Sequence, residues 1–214
     1  MVRRALLLLA LGICAVGLWV GAAPAGTTGW HLVGAAPAGA TGWHLVTVRP
    51  TGRRAGPAVT TGTTAQRPAM VASALEKDVL ADVNLLRRQH HLPALRMSAK
   101  LTAAARSHST EMAQRGYFSH DSANGSSFDR RISRYYSLSG RRYWSVGENL
   151  LWSSPDVSAS AALDMWLNSP EHKKILFTAR WREVGLAAVH VSSAPGTFGG
   201  REVTIVTADF GVRH

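Results

Sequence analysis

Three short groups of residues between Tyr117 and Ile175 organise this chain: Tyr117-Phe118-Ser119-His120, Gly147-Glu148-Asn149-Leu150 and Trp166-Leu167-Asn168-Ser169-Pro170-Glu171-His172. Each sets a side chain able to hold a ligand or a proton beside a residue that shapes the backbone. Two histidines and a glutamate this far apart in sequence meet only if the fold brings them together. The expectation is that His120, Glu148 and His172 line one cleft.

Local chemistry supports each of the three. Ser169 is placed to cap a helix and Pro170 fits its first turn, so His172 falls at the third helical position. The positive end of the helix dipole disfavours imidazolium there, and a neutral ring is what a metal ligand or general base requires. The alternative is a surface histidine in a well-capped helix. His120 opens a polar, glycine-containing loop, Asp121–Ser127, of the kind that often carries binding residues. Glu148 lies among apolar or small residues, so it is either a paired, desolvated ligand or proton acceptor, or a structural carboxylate. Ser119 is not expected to act as a nucleophile, since no G-x-S-x-G elbow surrounds it. His108 falls on an apolar helical stripe and reads as a core histidine. His90-His91 ends a helix, and His190 and His214 receive no role.

Working outward, hydrophobic spacing predicts helices on both sides of these groups. Leu75, Val79, Val83 and Leu86 share a face, with Glu76, Lys77, Asp82 and Arg87 assigned to the other, and Pro93 ends the helix. A second helix follows Ser98, with Leu101, Ala104, Ala105, His108 and Met112 on one stripe, and stops at Gly116. A short third is expected at Ser127–Tyr136. A fourth is expected to open at Ser154-Pro155 and bury Ala159, Ala162, Leu163 and Trp166. The period then changes to that of strands at Val184–Val191 and Glu202–Phe210, joined by the Gly/Pro-containing loop Ser192–Gly200, and a further short strand is possible at Tyr143–Val146. Helices followed by a small antiparallel sheet make an α+β domain, assigned to residues 71–214.

The chain ahead of that domain reads differently. In residues 1–25, Arg3 and Arg4 precede an apolar run from Ala5 to Val20 and an Ala23-Pro24-Ala25 cleavage site, which is the pattern of a secretory signal. Sixteen apolar residues is short against the roughly 20 of a spanning helix, so contact with a membrane is expected only through this leader. Residues 20–45 hold a thirteen-residue tandem repeat, Val20–Leu32 and Val33–Leu45, differing only at Thr27 and Ala40. Residues 26–70, rich in Gly, Pro, Thr and Ala, are expected to be a disordered linker. Cys14, the single cysteine, leaves neither an intramolecular disulfide nor a thiolate metal site. The formal charge is +11; residues 71–214 carry eighteen basic and thirteen acidic side chains, a net +5. The arginines form no continuous run, which argues against a nucleic-acid partner and for a solvated basic face or an anionic envelope.

The ordered set Leu101…Ala105…His108-Ser, Tyr-Phe-Ser-His120, Gly125, Arg131-Ile132, Gly147-Glu148-Asn149-Leu150, Trp166-Leu-Asn-Ser169-Pro-Glu-His172, Val184-Gly185 and Asp209-Phe210-Gly211 resembles the CAP superfamily of cysteine-rich secretory, antigen 5 and pathogenesis-related proteins, in its bacterial SCP-like branch. The resemblance implies an α-β-α sandwich around a central antiparallel sheet, an extracellular location and a cleft lined by two histidines and two acids. By motif, His120, His172 and Glu148 take three of those places. The fourth falls on Ser169, a departure. Zn2+ or another divalent cation is expected on His120, His172 and Glu148, with fewer charged ligands than the family pattern provides. The implied partner is an extracellular lipid, peptide or cell-wall component. A secreted binding module is favoured over a metal-dependent hydrolase with Glu148 as base, because a second acid and a separate nucleophile are both missing. A third reading is a basic adhesion domain for the cell envelope, using the linker arginines.

Overall fold

The computed structural model describes residues 73–214, together with the backbone of two short strands, β1 (Trp30–His31) and β2 (Val46–Val48). The leader and most of the segment read as a linker, with its arginines Arg49, Arg53, Arg54 and Arg67, lie outside the described residues. No described helix is long and apolar enough to cross a membrane.

Helix α1 (Ala74–Gln89) starts on a reciprocal cap: Ser73 Oγ accepts from the Glu76 N–H, and the Ser73 N–H donates to Glu76 Oε2. The face assigned to solvent needs correcting at two positions, since Glu76 and Arg87 are both buried. Glu76 Oε1 accepts from Arg106 at 2.6 Å and from the Ala188 N–H at 3.0 Å. Arg87 Nη1 donates to the Leu176 carbonyl at 2.6 Å, tying α1 to the end of α5 (Pro170–Leu176). Each is buried because it satisfies backbone or charge that would otherwise be orphaned.

Helix α2 (Ala99–Arg115) buries the expected stripe, Leu101, Ala104, Ala105, His108 and Met112. It ends at Gly116 in the left-handed region, φ 70°. Glycine is required there twice over, because a Cβ would stand 2.6 Å from the Pro195 carbonyl oxygen. Strand β3 (Arg96–Met97) precedes α2, and α3 (Phe128–Ser133) is a short helix.

Strand β4 (Trp144–Ser153) is where pattern reading fell furthest short. It runs ten residues and every one is buried. A strand covered on both faces shows no alternation, so only its first residues carried a signal. Helix α4 (Ala159–Leu167) begins later than expected: Ser158 is its cap, accepting from the Ala161 N–H, and Ser154-Pro155 lies in the turn before it. Strands β5 (Glu183–Ala194) and β6 (Arg201–Arg213) form the expected hairpin, with a one-turn 3-10 helix, Gly196–Phe198, in its loop.

The sheet runs β4-β6-β5-β3, antiparallel except that β3 joins β5 in parallel; β1 and β2 pair with β4. Along β6 the side chains of Val206, Ala208, Phe210 and Val212 face a core shared with α1, α4 and α5, built on Val79, Val83, Trp166, Leu176 and Trp181. The other face packs Met112, Leu150, Trp152 and Ile205 in one cluster and Leu101, Ile132, Tyr136 and Val146 in another. Helices therefore cover both faces, and the domain is an α-β-α sandwich.

Candidate functional site

The α2/α3 face of the sheet carries two acids deep in its core. Glu148 on β4 and Asp209 on β6 are direct register partners, so their side chains leave the sheet side by side. Both are buried. Two carboxylates at such a place cannot readily both be ionised, and Arg131 supplies a cation for one of them. Its Nη2 donates to Glu148 Oε2, and its Nη1 donates to the His120 carbonyl at 2.7 Å. The other carboxylate oxygen, Glu148 Oε1, lies 2.8 Å from His120 Nδ1.

The charges settle unequally. Burial by itself would raise the Glu148 carboxyl, but the Arg131 guanidinium, then His108 and His120, hold it well below the usual carboxylate range. Asp209 goes the other way: burial and the neighbouring Glu148 charge push it well up, so it holds a proton more readily than Glu148 does. An ionised Glu148 only accepts, so His120 donates from Nδ1. In the neutral ring the lone pair is then on Nε2.

The His120 backbone is clamped from both sides. His108, fully buried in α2, lies with Nε2 2.8 Å from the Ser119 carbonyl, which it meets as donor, while Arg131 holds the next carbonyl. Burial lowers His108 to about 4. His108 is thus a core histidine, as expected, and one that positions the loop bearing His120. Ser119 Oγ accepts from the Asp121 N–H at 3.2 Å.

His172 arrives on α5, at the third helical position with Pro170 first, as the spacing predicts. Ser169 occupies the cap position, but its side chain makes no cap hydrogen bond. Asn149, the residue after Glu148, donates from Nδ2 to the His172 carbonyl at 3.1 Å. A Cβ on Gly147 would stand 2.9 Å from the Trp181 ring, so that glycine lets the indole behind α5 close on the strand. Gly147 and Asn149 therefore bring α5 to one face of β4, while Glu148 between them points to the other. His172 is lowered to about 4, first by burial and then by the charge of His120. Neutrality at His172 agrees with the expectation, but its main cause is burial rather than the helix end. The His120 side chain is 20% exposed and His172 is buried.

The divalent ion implied by the resemblance fits this arrangement poorly. Both Glu148 oxygens are already engaged, by His120 and by a guanidinium that would repel a cation. The Asp209 carboxyl beside them is pushed towards its neutral form, and residue 169 is a serine. Among the described residues, no group of three or more His, Cys, Asp or Glu is arranged to hold a metal ion. Glu148 stands instead as the group that orients His120.

Sequence reasoning missed Arg131 and Asp209. Both left a trace. Arg131 lies three residues after Phe128 and beside Ile132, on the apolar side of α3. Asp209 continues the buried-face series Val203, Ile205, Thr207 and breaks its polarity. His190 meets Glu202 and Thr204 at the surface, and His90 packs edge-on against Phe177, neither near this locus.

Known proteins share this framework. The uncharacterized protein YkwD of Bacillus subtilis (strain 168) is 30% identical over 132 residues, covering 61% of this chain and 48% of that protein. The uncharacterized membrane protein YlbC of the same organism is 28% identical over 116 residues, covering 54% and 32%. The chain thus spans half or less of the length of these relatives. Among solved structures, an extracellular protein containing a SCP domain from Bacillus anthracis str. Ames superposes with a TM-score of 0.50 at 24% identity, over 71% of this chain and 44% of that one. An outer surface protein from Borrelia burgdorferi superposes with a TM-score of 0.50 at 20% identity, over 64% and 92%. The model of the cysteine-rich secretory protein family matches residues 80–210, from α1 to the end of the β6 core, and on that match the chain belongs to the CAP family.

Proposed function

We propose that this chain is exported and acts as an extracellular binding module, its ligand met by the imidazole edge of His120 with neutral His172 behind it, and that it binds without turnover. The observation that carries the reading is the state of Glu148. A general base works best with a pKa near the operating pH and an open path to the proton it takes. Glu148 is buried, its two oxygens are engaged by His120 and Arg131, and its carboxyl is held well below the usual range. That favours an orienting role over the hydrolase reading. The leader-like pattern of residues 1–25 supports export, as do the extracellular and outer-surface descriptions of the two structural neighbours.

The test is hydrolysis of a peptide and ester library by the full chain and by Glu148→Gln, with and without added Zn2+. The expected result is no hydrolysis that depends on Glu148. Turnover abolished by Glu148→Gln would replace this reading with the hydrolase. Zn2+ calorimetry adds a second readout: tight binding that Glu148→Gln abolishes would make Glu148 a ligand and contradict the orienting role.

A further inference from the structure

The end of the sheet remote from the histidines carries a concentration of positive charge that the candidate site does not use. An open cleft of about 330 Å³ lies there, lined by Tyr143, Arg180, Arg182, Val212, Arg213 and His214. It sits beside the Trp144–Arg213 register pair, four steps from Glu148–Asp209, or about 13 Å along the strands. The backbone N–H of exposed Arg142 donates to the His214 carbonyl at 2.8 Å.

The walls differ in rigidity. Arg213 is fixed: its guanidinium lies 4.1 Å over the Tyr136 ring, Nη1 donates to the Ser137 carbonyl at 3.0 Å, and Nε is 4.0 Å from Glu183. Arg182 is oriented by two bonds from a single nitrogen, Nη1, to the carbonyls of Ala179 and Trp181. Arg180 Nη1 donates to Tyr143 Oη at 3.2 Å. Each guanidinium has five N–H donors in a planar fork, so most of those on the two exposed arginines remain for a ligand. Tyr143 stacks on His214 at 4.7 Å and 22°, giving the cleft a flat aromatic side. Glu183 lies beside Arg213 alone, while Arg180 and Arg182 bond neutral oxygens, which leaves two guanidinium charges at the cleft.

We propose that this cleft is a binding site for a phosphate group, held by Arg180 and Arg182 against the fixed Arg213, with the remainder of its carrier lying along Tyr143 and His214. A dianionic phosphate matches the excess of charge, and its oxygens match the donor geometry of paired guanidiniums. Water occupies about 30 Å³ per molecule in the liquid, so the volume holds a phosphate and part of what bears it. This site is independent of the histidine locus and of the function proposed for it.

The experiment is calorimetric titration of the full chain with inorganic phosphate and with a glycerol phosphate oligomer, at ionic strength held constant with NaCl. Both should bind, and a tighter oligomer identifies a polymer-borne rather than free phosphate. Arg180→Ala/Arg182→Ala should weaken binding by about tenfold or more. Arg88→Ala/Lys100→Ala, which removes the same charge at exposed positions of α1 and α2, should weaken it by less than about twofold. Arg180→Lys/Arg182→Lys keeps the charge, loses the fork, and should still bind more weakly than the native chain. Equal losses in the two alanine pairs would overturn the proposal in favour of diffuse attraction. So would no binding by the native chain, or a dicarboxylate that binds more tightly than phosphate.

Discussion

Replacing Arg131 by methionine keeps most of the side-chain volume and removes the cation that lets Glu148 be ionised in the core. The guanidinium bonds Glu148 and the His120 carbonyl from a buried position. Breaking a buried charge pair from one side typically costs about 3–5 kcal/mol, because the remaining charge is left uncompensated. That is a large share of the roughly 5–15 kcal/mol that holds a domain folded. The double-mutant cycle isolates the cause. In a Glu148→Gln background the buried Arg131 is already the uncompensated charge, so Arg131→Met should cost less than about 1 kcal/mol there, because relief of that charge offsets the lost bond to the His120 carbonyl. The sign with pH follows. Without Arg131, burial raises Glu148 above its unfolded value, so the folded state of the variant gains stability as pH falls. Its deficit is therefore largest at pH 7 and shrinks towards pH 5. Urea unfolding of the full chain reads all four corners of the cycle. A cost below about 1 kcal/mol for Arg131→Met, or the same cost with and without Glu148, would refute the reasoning.

Other consequences are quicker to state. His172 has a folded pKa of about 4 against an ordinary 6.5, so the unfolded chain protonates first. Its contribution is flat above about pH 7 and is lost between 6.5 and 4, by about 3 kcal/mol. Asp209 opposes this over part of the same range, so the measurement is the difference between native and His172→Asn unfolding curves, and parallel curves would contradict it. Asp209→Asn should cost less than about 1 kcal/mol, since an amide replaces an acid that is already protonated; a cost above about 2 kcal/mol in urea unfolding would mean that Asp209 is ionised. Gly185→Ala should be severe. Its Cβ would stand 2.0 Å from the Leu101 carbonyl carbon and 2.1 Å from the Thr102 nitrogen, where α2 crosses β5, and neither backbone atom can rotate aside. A loss of at least about 3 kcal/mol is expected by thermal melting, and an unchanged melt would show that α2 sits further from the sheet.

The stripe of α2 could be read in advance because the helix keeps one wet face. The β5–β6 hairpin was legible from its β-branched runs and the Gly/Pro-containing loop between them, although β6 is buried along most of its length. Strand β4 is buried along its length, and its polar residues Ser145, Glu148 and Asn149 looked like interruptions rather than a strand. Ser154-Pro155 imitated a helix start that belongs to Ser158, because a serine before a proline fits a turn as well as a cap. At the site, His120, Glu148 and His172 could be named because their neighbours shape the backbone. Their roles could not, since these depend on pairings across the fold. Arg131 and Asp209 decide whether Glu148 is a ligand or an orienting group, and both entered the sequence reading only as fragments of a motif. His214, given no role, lines the arginine cleft.

The most direct test of the central claim, that both imidazoles meet at one locus under the Arg131–Glu148 charge pair, is an NMR titration of the histidine rings in the native full chain and in His120→Ala. The account predicts that His172 titrates at about 4, that His120 carries its neutral-state proton on Nδ1, and that removing the His120 charge moves His172 upward. A His172 that titrates near 6.5 and does not respond to loss of His120 would contradict it.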